Sequence, residues 1–180
     1  MLKYVCTTIV AMAASAVGAA PAAAQSQSWS EAFNSLGRFA VLNQLNDEAV
    51  LDRETGLVWQ LAPREEGLAN FYVASRSCID ARTGGRRGWR LPTIVELQSL
   101  TDPGETNPTL TLGHPFLNIA IEGVYWSSTT TADNPDNVWA LSLGTGAVSR
   151  AERCANAGCG EPKQAPRVWC VRGGGGPDAQ

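Results

Sequence analysis

The chain has 180 residues and a formal net charge of −3 at pH 7. That length, less a leader, suits one domain with a sizeable core. The acidic balance excludes general nucleic-acid binding, which needs a broadly basic face.

Residues 1–24 read as a signal peptide. Lys3 supplies the positive n-region, residues 5–20 the apolar stretch, and Ala22-Ala23-Ala24 an A-x-A cleavage site before Gln25. The run is rich in Ala and Gly, short for a membrane span, and followed by no lipoprotein-style cysteine. The expectation is an exported product, periplasmic or secreted, with no membrane span in the mature chain.

Residues 25–37 form a polar lead-in with isolated Trp29 and Phe33. Strands are expected over 38–42 and 49–52, then a turn at Asp52-Arg53-Glu54-Thr55-Gly56, then a returning strand over 57–60. After a polar break at 63–67, Asn70 caps a helix whose inner face carries Phe71, Ala74, Ser75, Cys78 and Ala81. Gly84-Gly85 is its expected end.

Pro92 keeps Leu91 extended, so Trp89-Arg90-Leu91 runs straight into a helix start. Thr93 and Glu96 have the T-x-x-E spacing of a capping box, with Pro92 and Leu97 placed as a hydrophobic staple, and the helix reaches about Leu100. Residues 101–122 are irregular, broken by Asp102-Pro103-Gly104, Asn107-Pro108 and His114-Pro115. A loop of that length inside a domain is functional or packed by its own apolar residues, here Leu110, Leu112, Phe116 and Ile119. A central strand follows over 124–129. The loop 132–137 then leads into a hairpin, 138–143 and 147–150, turning at Gly144-Thr145-Gly146. Residues 167–172 are the closing strand, and 174–180 a disordered tail. Trp59, Trp126, Trp139 and Trp169 lie in expected strands, where core packing is the default.

Cys6 leaves with the leader, and Cys78, Cys154, Cys159 and Cys170 remain. An even count in an exported chain reads as two disulfides, with three possible pairings. Cys154 and Cys159 flank a turn-like Ala-Asn-Ala-Gly and can close a local loop, which leaves Cys78 for Cys170; this arrangement is favoured. The alternative is a zinc site of all four cysteines, although no C-x-x-C pair is present.

Four motifs occur in order: Val50-Leu51-Asp52 through Thr55-Gly56-Leu57-Val58-Trp59; Gly88-Trp89-Arg90-Leu91-Pro92-Thr93 with Glu96-Leu97; Tyr125-Trp126-Ser127-Ser128-Thr129; and Val168-Trp169-Cys170-Val171-Arg172-Gly173. Residues 38–173 thereby resemble the Lcl C-terminal domain family, named for a Legionella collagen-like protein. The resemblance implies an α+β, C-type-lectin-like single domain with mixed and antiparallel strands, two helices, a long ligand-binding loop region and paired first and last strands. It also implies a helix-to-last-strand staple, Cys78–Cys170, with Cys154–Cys159 a local addition. The collagen-like stalk is missing, so the namesake's adhesion in that form does not carry over.

The sequence offers four kinds of site. A hydrolase would have to use His114, the only histidine, with Ser127 or Ser128, but no G-x-S-x-G elbow is present. A formylglycine-generating-enzyme-like oxidoreductase needs a reactive cysteine pair for copper, whereas Cys78 and Cys170 read as structural. In the loop 132–137, Asp133, Asn134, Asp136 and Asn137 offer oxygens, with Asp133 and Asp136 a weak calcium pair; Asx-Pro clusters are also ordinary turn chemistry. Arg82, Arg86, Arg87 and Arg90 can recognise an anion, unless Arg90 pairs with Glu96 and Arg86 and Arg87 form a solvated turn. Trp89, Arg90, Thr93, Glu96, Trp126 and Trp169 read as structural. The expectation is a non-catalytic binding or adhesion module, taking a glycan or an envelope or surface protein through the loops 101–122 and 132–137. Calcium is the one cofactor candidate.

Overall fold

The computed structural model describes residues 35–65, 67–68, 70–153 and 165–173. The leader, residues 25–34 of the lead-in, Cys154–Cys159 and the tail lie outside the described residues. A helical turn, α1 (Ser35–Arg38), leads directly into a meander of β1 (Phe39–Val41), β2 (Ala49–Asp52) and β3 (Val58–Gln60), all antiparallel, with Val50 opposite Trp59. The first turn closes through Asn46 and Asp47, both at positive φ, and the second through Gly56 at φ 71°.

Asp52 builds the second turn. Its carboxylate accepts from the Glu54 amide at 3.1 Å and the Thr55 hydroxyl at 2.9 Å. The same carboxylate, fully buried, accepts from Arg38 Nε at 3.0 Å and NH2 at 2.9 Å. Arg38 also reaches Glu54 at 3.1 Å and the Ser99 carbonyl at 2.5 Å. The ion pair thus ties the start of the domain to the turn and to the end of a later helix.

The helix α2 (Phe71–Ile79) starts where Asn70 accepts from the amides of Tyr72 and Val73, and it buries Phe71, Ala74 and Cys78. It stops at Ile79, short of Gly84-Gly85. The chain there is drawn to the sheet instead: Gln60 Nε2 donates to Thr83 Oγ1 at 2.7 Å and the Gly84 amide to Glu48 Oε2 at 2.6 Å. A short 3-10 turn, Thr83–Gly85, results. The helix α3 (Ile94–Ser99) carries a complete capping box on Thr93 and Glu96.

A second antiparallel sheet has the order β4 (Tyr125–Thr130), β5 (Asn137–Leu141), β6 (Val148–Glu152), with a register shift between Trp126 and Thr130. Both α2 and α3 pack on β4, and α3 also on β5. The hairpin turns where the Gly146 amide donates to Ser142 O, with Gly146 at φ 71°.

The closing segment is regular only over β7 (Val171–Arg172), which pairs with β3. The expected pairing of first and last strands is therefore not what forms among the described residues. Consecutive hairpins place β2 beside β1, and Trp59 and Trp169, 5.2 Å apart, draw the closing segment to the far edge of β3. Before β7, Arg167 forms a parallel bridge with Tyr125 of the other sheet, and Val171 an antiparallel bridge with Arg90.

Two buried clusters fill the interior. One gathers Phe39, Trp59, Phe116, Tyr125 and Trp169; the other gathers Phe71, Cys78, Trp89, Trp126, Val168 and Cys170. Trp169 meets Phe116 edge-on at 4.8 Å. The Cys78–Cys170 disulfide staples α2 to the closing segment across a sequence separation of 92.

Two stability outcomes follow from these ties. Replacing both Cys78 and Cys170 by alanine lowers unfolding stability by about 4–5 kcal/mol in the chain-entropy account of so large a loop, seen as a drop in urea midpoint that matches reduction of the wild type. Arg38→Met leaves Asp52 buried without its cation and lowers stability by about 3–5 kcal/mol; an unchanged midpoint would show that the pair is dispensable.

Candidate functional site

The four arginines that neighbour one another in sequence do not act as one cluster. Arg90 lies in a fork-to-fork pair with Glu96, NH1 to Oε2 at 2.8 Å and NH2 to Oε1 at 2.7 Å, and also donates to the carbonyls of Leu91 and Gly173. Glu96 Oε2 simultaneously accepts from the Thr93 amide at 2.8 Å, so one carboxylate closes the helix cap and holds the arginine. Arg82 turns back on the end of α2, where NH1 donates to the carbonyls of Asp80 and Ala81. Arg86 and Arg87 are exposed and form no ion pair among the described residues; the Arg86 carbonyl accepts from the buried Trp89 indole at 3.1 Å. Gly84 is required for this turn, because it has φ 60° and a Cβ there would stand 2.9 Å from Leu45 Cα.

The loop 132–137 is a hydrogen-bonded turn. Asn134 O accepts from Thr131 Oγ1 at 2.8 Å and from the Asn137 amide at 3.1 Å, while Asn134 Oδ1 accepts from the Asp136 amide at 2.9 Å. Asn137 opens β5 opposite Glu152. Asp133 accepts from Arg150 at 2.7 Å, and that guanidinium lies over the half-buried Trp139 ring at 5.6 Å. A backbone hydrogen bond and Arg150 hold the Asp133 carboxyl below its usual range. Calcium asks for six to eight oxygens that converge. Here Arg150 takes the Asp133 carboxylate and the turn takes Asn134 Oδ1. Among the described residues no group of three or more His, Cys, Asp or Glu is placed to hold a metal ion. The donor set at Asp133 and Asp136 does not suit calcium.

His114 packs beside Phe116 at 5.8 Å, its Nδ1 buried without a partner among the described residues, and desolvation lowers its pKa. Ser127 Oγ donates to the Trp139 carbonyl at 2.5 Å and Ser128 Oγ to the Pro92 carbonyl at 3.1 Å. Among the described residues, neither hydroxyl meets the imidazole. The Cys78–Cys170 disulfide leaves neither sulfur as the thiolate that copper would need.

The loop 101–122 is pinned at several points. Thr101 bridges Leu110, the Thr109 amide donates to Leu143 O at 2.7 Å, and the Leu117 amide to Leu61 O at 2.9 Å. Leu110 and Phe116 enter the core, whereas Leu112 is 72% exposed, Leu117 53% and Ile121 43%. Sequence reasoning treated Leu112 as packing and did not single out Arg150 on Trp139. Counting outward from Gly144-Thr145-Gly146 would have set Trp139 opposite Ala151; the strands pair instead about a four-residue turn, 143–146, which sets Trp139 opposite Arg150.

Glu96 gives a pH signature. Burial raises its pKa, but the hydrogen bonds and charge of Arg90 and the bond from the Thr93 amide outweigh that, so the folded value lies below 4.5. A depressed carboxylate stabilises the fold above its unfolded pKa and loses that contribution as pH falls through the folded one. Stability therefore declines as pH drops below about 4.5, the value for an unperturbed glutamate, and Glu96→Gln flattens that part of the urea-midpoint profile while lowering stability at neutral pH.

Among protein families, the model described as the Lcl C-terminal domain matches residues 48–172, from the first hairpin to the end of β7. No curated protein matches the chain.

Proposed function

The chain belongs to the Lcl C-terminal domain family, and on that premise we propose that it is an exported, non-catalytic, C-type-lectin-like binding module. Its partner is a surface glycan, and the loops 101–122 and 132–137 form the recognition surface. The observation that carries the reading is the exposure of Leu112, Leu117 and Ile121 on a loop whose Leu110 and Phe116 are fixed in the core. A loop held rigidly at its base with apolar side chains facing water is suited to binding. Asp133 of the second loop pairs with Arg150 of β6 beside Trp139 of β5, an indole next to a hydrogen-bonding ion pair, which suits the apolar face and hydroxyl edge of a sugar. The α+β order and the staple from α2 to the closing segment support the C-type-lectin-like assignment; the pairing of β7 with β3 is a local departure from it.

The test is a glycan array on the oxidised chain from Gln25, in calcium and in chelator. Saturable binding unchanged by chelator is expected, and Leu112→Ser with Leu117→Ser weakens it at least tenfold, as loss of two buried leucine contacts at about 1.5–3 kcal/mol each requires. Silence across the array would remove the glycan partner, and full binding by the double variant would remove the loop.

A further inference from the structure

A cleft of about 330 Å³ opens between the end of β3, the end of α2 and the closing segment. None of its described lining residues belongs to the loops 101–122 or 132–137. Its floor is apolar, with Ala62, Ala81 and Val168, and it passes beside Cys170 of the disulfide. Arg64 and Arg82 line it, and no aspartate or glutamate is among its described lining residues. Neither arginine forms an ion pair among the described residues, in a chain of net charge −3.

Arg64, Arg82 and Thr83 are the hydrogen donors of this cleft, while Ser77 gives its O–H to the Ala74 carbonyl at 2.7 Å. The Gln60 amide is held at both ends: Nε2 donates to Thr83 Oγ1 at 2.7 Å and Oε1 accepts from the Cys170 amide at 3.2 Å. Because Thr83 Oγ1 already accepts, its own O–H is left to donate. Arg82 is held by NH1 on the carbonyls of Asp80 and Ala81, which counters the negative end of α2, and its Nε and NH2 have no partner among the described residues. An ionised carboxylate accepts only, and its two oxygens match a guanidinium fork.

We infer that this cleft is a second binding site, for a small organic carboxylate whose charged end lies between Arg64, Arg82 and Thr83 and whose apolar body rests on Ala62, Ala81 and Val168. The volume lies at the small end of ligand pockets, about 300–1,000 Å³, and two cations with an apolar floor fit a compact monoanion better than an extended polyanion, which needs a broad basic face.

The experiment is an NMR titration of the oxidised chain with N-acetyl-L-alanine and with glucuronate, each against its neutral counterpart, N-acetyl-L-alaninamide and glucose, and against inorganic sulfate. Saturable shifts at the Thr83 and Val168 amides with a carboxylate and not with its neutral counterpart are expected. Arg64→Gln with Arg82→Gln should abolish them while the rest of the spectrum stays in place. Ala62→Leu, which fills the floor and keeps both cations, should weaken them at least tenfold. No response to either carboxylate, equal response to the neutral molecules, or response to sulfate alone would overturn the inference. Variants of the loop 101–122 should leave these shifts unchanged, so this result stands or falls separately from glycan binding.

Discussion

The segment from Arg167 to Arg172 holds the two sheets together, bridging Tyr125 of one and pairing with β3 of the other. Its backbone is hydrogen-bonded in several directions: Arg167 with Val124 and Trp126, the Val168 carbonyl with Arg64, the Cys170 carbonyl with Gln60, and Val171 with Arg90. Side chains repeat the pattern. Trp169 goes into one buried cluster, Val168 and Cys170 into the other. A segment that serves two sheets and two clusters has no freedom to slide, since a one-residue shift would exchange the faces presented to each.

That constraint explains why the long loop and the cleft lie where they do. The long loop can keep leucines in water because its base is fixed on Leu61, Leu143 and the aromatic cluster. The small cleft exists because the disulfide and Gln60 hold the end of α2 at a set distance from β3. Rigid support beneath variable surface is the usual division of labour in binding domains.

What could be read from the sequence was local. The capping box on Thr93 and Glu96 and the Asn70 cap depend on residues within three positions of one another, and the signals name the atoms that bond. The end of α2 was not legible, because Gly84-Gly85 looks like a helix stop while Thr83 and Gly84 are in fact drawn away by Gln60 and Glu48, distant in sequence. Nor was the buried partnership of Arg38 with Asp52, since neither residue type advertises burial. The arginine run allowed two readings, and the structure has the second, with Arg90 paired to Glu96 and Arg86 and Arg87 exposed; the turn of Arg82 onto two carbonyls at the end of α2 was not legible. The cleft needed Arg64 and Arg82 brought together from separate segments, which no spacing rule encodes.

The staple at Cys78 and Cys170 has one more consequence. It closes a covalent ring that includes α3, the long loop and the second sheet. The loop 101–122, with Leu112, Leu117 and Ile121 exposed, lies inside that ring. A single nick there would yield two polypeptides still joined through sulfur, with the fragments on either side kept in register by the segment they share. Damage to that loop would then leave the assembly in one piece.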